Sequence, residues 1–147
     1  HGVVLLHGAT GSGKTEVFLQ RARSVMQQGK QVLILVPEIS LTPQMVKRVT
    51  ARFGSHVAIY HSGLNAQEKY EQYQLVRRHQ VQIVVGTRSA VFMPFDNLGV
   101  IIMDEEHDTS YKQDSSPRYH CRDIALHRGH DHHALVIMAS ATPSLET

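Results

Sequence analysis

The sequence has a single cysteine, no tryptophan, and no apolar run that approaches the roughly 18 residues of a membrane span. Cys121 has no second cysteine to pair with inside the chain and no CxxC motif to join in a zinc site, so an ordinary thiol in a reducing compartment is expected. The first residues lack the basic and then apolar pattern of a secretory signal. We therefore expect a cytoplasmic protein that does not contact a membrane.

Net charge is also small. With 15 basic and 13 acidic residues among 147, the net charge is +2, and eleven histidines add positive charge only at lower pH. That balance is a weak indication of nucleic-acid binding. The length suits one domain with one core. Because the sequence starts at an expected core strand and stops a few residues beyond another, we expect it to be part of a longer protein.

Short apolar runs rich in Val, Ile and Leu recur along the chain, and most are separated by helix-like segments. Nearly continuous apolar runs are typical of strands buried on both faces. The alternation of strand and helix favours an α/β fold, a mostly parallel sheet of about six or seven strands with helices on both faces. The six runs occupy residues 3–6, 32–36, 57–60, 81–85, 100–103 and 135–139.

Capping residues mark the ends of the predicted helices. Gly29 can close the first helix, Pro43 suits the first turn of the second, and Glu68 completes a capping box at the start of the third. The polar segment 108–123, which contains Pro117, is predicted to be a long loop, and such loops are usually functional or mobile. The three helices are expected from Thr15 to Gln28, from Thr42 towards Gly54, and from Asn65 to about His79.

The stretch GATGSGKTEV, residues 8–17, has the spacing of a phosphate-binding loop directly after an apolar run and at the start of a helix. Its glycines let backbone N–H groups surround phosphates, and the helix N-terminus adds a positive dipole end. Lys14 is predicted to reach the β- and γ-phosphates, and the Thr15 hydroxyl to ligate Mg²⁺. The predicted nucleotide-binding residues are Gly8, Ala9, Thr10, Gly11, Ser12, Gly13, Lys14 and Thr15.

A pair of acidic residues, Asp104 and Glu105, follows the apolar run 100–103. In a parallel sheet that position lies at the same edge as the phosphate-binding loop. Asp104 is predicted to hold Mg²⁺, and Glu105 to orient and deprotonate the attacking water, with Lys14 as the second catalytic residue. Together the loop and the acidic pair indicate a nucleoside triphosphatase.

Three short sequence motifs indicate which class of nucleoside triphosphatase this is: GTRSA at 86–90, DEEH at 104–107 and SAT at 140–142. With them the chain resembles helicase superfamily 2 and, more narrowly, the bacterial primosomal replication-restart DNA helicases. The resemblance covers essentially the whole chain. The strings that carry it further are LVPEISLTPQ at 35–44, HSGLN at 61–65, GTRSAVFMPFDNLGVIIMDEEHDTSYKQ at 86–113, RYHCRDIA at 118–125 and SATPSLET at 140–147.

The resemblance implies a RecA-like P-loop NTPase domain, residues 1–147, that is the first motor lobe of an ATP- and Mg²⁺-dependent 3′–5′ DNA helicase. Such a motor couples ATP hydrolysis to translocation along single-stranded DNA, restarts stalled replication forks and starts primosome assembly. Its implied partners are forked and single-stranded DNA, primosome proteins and single-stranded DNA-binding protein. The family's second lobe with its arginine finger, its DNA-binding domain and its zinc insertion fall outside these residues, so the isolated lobe is expected to be nearly inactive.

The same resemblance assigns a coupling role to residues beside the acidic pair. Glu106 and His107 complete the DEEH box, and His107 is expected to relay the nucleotide state to Ser140 and Thr142 at the end of the last strand. Hydroxyl residues at a sheet edge are also common as helix caps or turn residues, and that alternative stays open.

Thr87, Arg88 and Ser89 follow a predicted strand, where an exposed basic residue with two hydroxyls can hold a phosphate backbone without reading bases. Given the resemblance, they are expected to contact DNA. The alternative for Arg88 is a solvated or ion-paired side chain. A weaker candidate surface is formed by Ser40, Thr42 and Gln44.

Aromatic and basic residues alternate in the string YKQDSSPRYH, where Tyr111 and Tyr119 can stack on bases while Lys112 and Arg118 follow phosphates. The string resembles the aromatic-rich loop that links single-strand binding to hydrolysis in replication-restart and RecQ-type helicases. Pro117 stands where some relatives carry another aromatic residue, which leaves the number of stacking residues open. The alternative is a surface loop whose tyrosines fold into the core.

Two groups of side chains that could suggest ligands are interpreted as structural. A histidine group near the C-terminus lacks a carboxylate or cysteine at a metal-ligand spacing and is expected at the solvated end of a helix. Tyr70, Tyr73 and Val76 recur at helical intervals and are expected to pack into the core. The histidines are His127, His130, His132 and His133.

Three alternatives to the helicase lobe remain. A self-contained P-loop kinase or GTPase needs its own acceptor or guanine motif, and no NKxD string occurs. A non-enzymatic DNA-binding module with a degenerate nucleotide site conflicts with the intact Lys14, Thr15, Asp104 and Glu105. The third alternative is another superfamily 2 nucleic-acid translocase.

Overall fold

The computed structural model describes residues 2–7, 12–105 and 120–140. Its strands are β1 (Gly2–His7), β2 (Gln31–Leu35), β3 (Val57–Tyr60), β4 (Ile83–Gly86), β5 (Leu98–Glu105) and β6 (Leu135–Ser140). They form one sheet in the order β1-β6-β5-β2-β4-β3, and every neighbouring pair is parallel. Backbone but not side chain is described for Leu6, His7, Ser12, Glu105 and Ser140.

The described helices begin where the sequence provides caps. Thr42 Oγ1 accepts from the Met45 N–H at 3.1 Å. Asn65 and Glu68 form a capping box, each side chain accepting from the other's backbone N–H at 2.8 Å. The α-helices are α1 (Ser12–Gln27), α2 (Pro43–Phe53), α3 (Ala66–Arg77) and α4 (Cys121–His132), with short 3₁₀ turns at Glu38–Ser40, Gly54–His56 and Arg88–Phe92.

A helical layer covers each face of the sheet. Along β2, Leu33 and Leu35 belong to the cluster that includes α3 and α4, whereas Val32 and Ile34 belong to the cluster that includes α1 and α2. This alternation follows from the two-residue period of a strand. The main helix contributions to the two clusters are Val76 and Ala125 on the first face, and Phe18, Leu19, Val49 and Phe53 on the second.

Helix α4 lies unusually close to β6. A Cβ added to Gly129 would lie 2.3 Å from Val136 Cγ2, which is a steric clash between two non-bonded carbon atoms. With glycine at this position, the helix backbone lies closer to the sheet than it could with any residue that carries a Cβ. Larger residues at 129 would push α4 away from β6.

The predicted elements are confirmed: each of the six apolar runs overlaps a strand, the sheet is parallel, and the three predicted helices are present. The predicted loop 108–123 is wrong at its end, because Cys121 already begins α4 and is buried against the core. Residues 108–119 lie outside the described ranges. No helix in the described part of the chain combines the length and the apolar character needed to cross a bilayer.

The packing prediction for α3 is wrong for two of its three residues. Val76 is fully buried, but Tyr70 and Tyr73 are 58% and 41% exposed. The inward face of α3 instead runs through Lys69 and Gln72, each one position earlier than the tyrosine. One residue corresponds to about 100° around a helix, which is enough to move a side chain from the core to the surface.

Candidate functional site

The carboxyl ends of the six described strands lie at one edge of the sheet, because every strand pair is parallel. At this edge His7, Ser140 and Glu105 occupy one row, with His7 paired to Ser140 and Ser140 paired to Glu105. The end of β6 therefore lies between the strand that precedes the phosphate-binding string and the strand that carries the acidic pair. Predicted nucleotide residues from distant parts of the sequence meet at this edge.

Lys14 and Asp104 form an ion pair at this edge. Lys14 Nζ donates to Asp104 Oδ1 at 2.8 Å, and the two side chains are only 7% and 13% exposed. Lys14 lies in the first turn of α1, and Asp104 is the penultimate residue of β5. Charged groups interact more strongly where water is largely excluded. The pair thus holds an ammonium and a carboxylate together beside the N-terminus of a helix.

The groups at this position fit a magnesium nucleotide. An ammonium complements phosphate oxygens, and carboxylate and hydroxyl oxygens are the hard ligands that Mg²⁺ prefers. The hydroxyl residue Thr15 is half-buried in the same helical turn, and Gly13 is exposed with open space where a Cβ would stand. Backbone N–H groups at a helix N-terminus also favour phosphate. Because Gly8 to Gly11 lie outside the described residues, nucleotide binding by the full loop stays a prediction.

Glu16, a carboxylate that sequence analysis did not single out, ties α1 to α2. Its Oε1 accepts from Arg52 Nη2 at 2.7 Å and from Arg48 Nη2 at 3.1 Å. Hydrogen bonds from Arg52, from Gln20 and from Arg48 lower the pKa of Glu16 from 4.5 to about 2. The two arginines stand four residues apart on one helical face, which is the sequence signal that could have indicated a shared acceptor. The helix of the ion pair is therefore anchored to its neighbour.

The three residues after β4 differ in exposure. Thr87 is 4% exposed, and its carbonyl accepts from the Ala90 N–H at 2.8 Å, which forms a tight turn. Ser89 Oγ is buried and has no hydrogen-bond partner within the described part of the chain. Arg88 is exposed. Of these three predicted DNA contacts, Arg88 is the one whose side chain reaches the surface, and contact with DNA stays a prediction.

Ser40 lies in the turn after β2. Strand β2 is adjacent in the sheet to β4, the strand that precedes Arg88. Ser62 Oγ donates to Glu38 Oε2 at 2.6 Å and so joins this turn to the chain after β3. The hydroxyl of Thr42 caps α2, as described above, so its position in the weaker candidate surface is explained by a structural role. Ser40 is half-buried at the same edge as Arg88 and remains a candidate DNA contact.

Arg128, on α4, is a half-buried cation that sequence analysis missed. Its Nη1 donates to Val91 O at 2.8 Å and to Met93 O at 2.6 Å, and its Nη2 donates to Phe95 O at 3.2 Å. The guanidinium also lies over the Phe95 ring, 5.7 Å from the centroid. Burial lowers the pKa of Arg128 from its ordinary value. Nothing in the local sequence distinguishes this arginine from an exposed one.

The histidine group lies at the end of α4, as expected. His132 Nδ1 accepts from the Leu98 N–H at 3.1 Å, and burial together with the positive charge of Arg128 lowers the pKa of His132 below 6.5. Within the ranges that the structure describes, no three His, Cys, Asp or Glu side chains are placed to hold a metal ion. The other three, His127, His130 and His133, are exposed.

The remaining predicted site residues lie outside what the structure describes. Glu105 and Ser140 are placed by backbone alone, at the row described above. Their catalytic and coupling roles stay predictions. The residues outside the described ranges are Gly8, Ala9, Thr10, Gly11, Glu106, His107, Tyr111, Lys112, Arg118, Tyr119 and Thr142.

Comparison with known proteins places this arrangement in context. A family model described as DEAD/DEAH box helicase matches residues 1–147. The chain is 56% identical over 147 residues to the replication restart protein PriA of Bacillus subtilis, and 54% identical over 145 residues to that of Synechocystis sp.. These matches cover 100% and 98% of this chain but 18% and 17% of the relatives. The chain thus spans less than a fifth of the length of these curated relatives.

A solved structure shares the fold. The chain is similar to RecG in a structure of RecG bound to a three-way DNA junction, with a TM-score of 0.68 and 27% sequence identity. The match covers 95% of this chain and 18% of that chain. This likeness and the six-stranded parallel sheet confirm the expected α/β, RecA-like fold.

Proposed function

This chain belongs to the DEAD/DEAH box helicase family, and from that membership we propose that it is the ATP-binding lobe of a 3′–5′ DNA helicase that restarts stalled replication forks. In this proposal the whole protein couples ATP hydrolysis to translocation on single-stranded DNA and starts primosome assembly. Its partners are forked and single-stranded DNA, primosome proteins and single-stranded DNA-binding protein. The cofactors are ATP and Mg²⁺, and any zinc is held by parts of the protein other than residues 1–147.

The observation that carries the proposal is the shielded ion pair between Lys14 and Asp104. An acidic pair after a strand is common by itself, but here Asp104 meets Lys14 of the phosphate-binding string at 2.8 Å. A lysine and a carboxylate at the N-terminus of a helix are the groups that a P-loop NTPase uses for phosphate and for Mg²⁺. This convergence favours an active nucleotide site over a degenerate one.

Each residue of the site has a defined task. Magnesium ATP supplies the phosphoryl group that is transferred to water. Lys14 Nζ would donate to phosphate oxygens, the Thr15 hydroxyl would ligate Mg²⁺, and the Asp104 carboxylate would hold the metal from its outer shell. Glu105 orients the attacking water and accepts its proton on the carboxylate. Ser140 and Glu105 are paired in the sheet. A displacement of one strand end would therefore move the other, which supports the coupling role of the DEEH and SAT strings.

DNA is the substrate that the comparisons favour. RecG, which its structure shows bound to a three-way DNA junction, is 27% identical to this chain. The replication restart proteins are more similar still, at 56% and 54% identity. At the carboxyl edge of this sheet, the exposed Arg88 supplies a positive charge that a phosphate backbone can contact.

The test uses the full-length protein that contains this chain. We expect ATP hydrolysis to be stimulated by single-stranded DNA, and forked duplexes to be unwound in the 3′–5′ direction. Lys14→Ala should lower hydrolysis by about 100- to 1,000-fold, as for removal of one transition-state donor, while fork binding persists. Lys47→Ala, which removes an exposed lysine on α2, is the matched control.

Two outcomes would contradict the proposal in different ways. Normal hydrolysis by Lys14→Ala would refute the nucleotide site. Hydrolysis that RNA stimulates and DNA does not would instead favour another superfamily 2 translocase.

A further inference from the structure

Helix α4 forms hydrogen bonds with the segment 88–95 through two of its residues, Cys121 and Arg128. At its first residue, the buried Cys121 Sγ donates to Arg88 O at 3.7 Å. Two turns later, Arg128 donates to three carbonyls of the same segment, those of Val91, Met93 and Phe95. The segment that begins with the exposed Arg88 is therefore hydrogen-bonded to α4 as well as packed into the core through Ala90 and Val91.

The same helix also packs directly against β6. Gly129, the residue after Arg128, leaves no room for a Cβ against Val136 of that strand. Val136 lies near the start of β6, whereas the carboxyl end of that strand, Ser140, is paired with the ends of β1 and β5 at the candidate nucleotide site. Helix α4 thus packs on the strand that leads to this site, and at the same time it holds the candidate nucleic-acid segment.

We propose that Arg128 is a positioning residue for nucleic-acid-stimulated ATP hydrolysis: it sets the location of Arg88 relative to the nucleotide site without touching either ligand. This proposal rests on the proposed helicase function. The planar guanidinium reaches three carbonyls at fixed angles, which the ammonium of a lysine cannot do. Losing these contacts leaves three backbone carbonyls of the segment without their Arg128 donor, so we expect the segment to shift relative to α4.

The experiment compares Arg128→Gln and Arg128→Lys with the unmodified full-length protein. The measured quantities are the hydrolysis rate without DNA and the concentration of single-stranded DNA that gives half-maximal stimulation. We expect the rate without DNA to stay within about twofold, and the half-maximal DNA concentration to rise about tenfold, within the usual range of coupling between two sites. Arg128→Lys should show most of the same defect, because charge alone does not restore the three contacts.

A double-mutant cycle with Arg88→Gln separates positioning from general stability. If Arg128 acts through Arg88, the double variant should be no worse in DNA stimulation than Arg88→Gln alone. Arg77→Gln, which removes an exposed arginine from α3 on the same face of the sheet, controls for the loss of one positive charge. If Arg128→Gln does not fold, the cycle is run with Arg128→Lys.

Three results would overturn the proposal. These are a half-maximal DNA concentration unchanged in Arg128→Gln, a value in Arg128→Lys equal to that of the unmodified protein, or additive effects of the Arg88 and Arg128 substitutions. Absence of DNA stimulation in the unmodified protein is a different result, because it refutes the proposed function itself.

Discussion

Lys14 and Asp104 are separated by 90 positions in the sequence, and their side chains meet at 2.8 Å with almost no access to water. The contact joins the first turn of α1 to the end of β5. The pair therefore ties the N-terminus of α1 to the carboxyl end of β5. Its removal should therefore affect folding as well as nucleotide binding.

Asp104→Asn should destabilise the chain by about 1–3 kcal/mol, because the shielded Lys14 ammonium loses its charged partner. Chemical denaturation followed by circular dichroism measures this change. The double variant Lys14→Met with Asp104→Asn should regain part of the loss, since it leaves no unpaired charge. Equal or greater destabilisation in the double variant would show that the charge pairing is not the cause.

Glu105→Gln should retain magnesium ATP binding but lose turnover in the full-length protein. The amide can still hydrogen-bond to water, but it cannot accept a proton, and general-base catalysis typically contributes about 10²- to 10⁴-fold. Equilibrium binding of a fluorescent ATP analogue and steady-state phosphate release give the two quantities. Parallel loss of both would assign Glu105 to binding rather than to proton transfer.

Replacing Tyr111 and Tyr119 together by alanine should weaken DNA stimulation of hydrolysis more than it weakens hydrolysis without DNA. Base stacking on an aromatic side chain is worth about 1–3 kcal/mol per base. The ratio of the stimulated to the unstimulated rate is the readout. A ratio equal to that of the unmodified protein would favour the alternative in which the tyrosines fold into the core.

The 147-residue chain alone should bind magnesium nucleotide weakly and hydrolyse it at a negligible rate, with or without DNA. An arginine supplied from outside the lobe would normally neutralise charge in the transition state, and such a residue is worth about 10³- to 10⁵-fold in rate. Phosphate release by the purified chain is the measurement. Robust turnover that Lys14→Ala abolishes would mean that the lobe is self-sufficient, as a kinase or GTPase is.

Acidification should reduce stability through His132. Its pKa is lowered in the folded chain, mainly by burial, so the unfolded chain takes up the proton more readily. The stabilisation from neutral His132 is therefore complete above pH 6.5 and declines as the pH falls below that value towards the lower folded pKa. Unfolding midpoints between pH 7 and pH 5 report the decline.

The matched variants for this prediction are His132→Asn and His127→Asn. Asparagine at 132 keeps an acceptor for the Leu98 N–H without a titrating ring, so stability should fall less on acidification. His127→Asn, at an exposed position of α4, leaves His132 in place and should keep the decline. Identical pH profiles for His132→Asn and the unmodified chain would exclude His132 as the source.

Local sequence was sufficient for the elements and for one long-range relationship. Apolar runs specify strands, and the caps at Thr42 and Asn65 specify helix starts, because both depend on residues within a few positions. The position of Asp104 at the sheet edge beside the phosphate-binding string followed from the parallel direction of the strands, whereas its ion pair with Lys14 was not predicted.

Side-chain burial in the connecting segments was beyond sequence reasoning. Thr87 is buried and Arg128 is half-buried because of the way α4 and the segment after β4 pack together, and no local pattern encodes that contact. The exposed Tyr70 and Tyr73 show the same limit for helices. A helical sequence pattern shows which residues share a face of the helix. How the helix is rotated about its axis, and so which face points to the core, depends on the neighbouring elements.

The strand order sets a length scale for communication along the carboxyl edge. Between β1, which leads to the candidate nucleotide site, and β4, which leads to Arg88, lie β6, β5 and β2. Four strand spacings correspond to roughly 19 Å, but only two, roughly 10 Å, separate β4 from β5, which carries Asp104. Electrostatic interactions between exposed charges are screened over about 8 Å in physiological salt. A change of charge beside Asp104 is therefore weakened at Arg88, whereas a change at the end of β1 reaches Arg88 mainly as a displacement of packed structure.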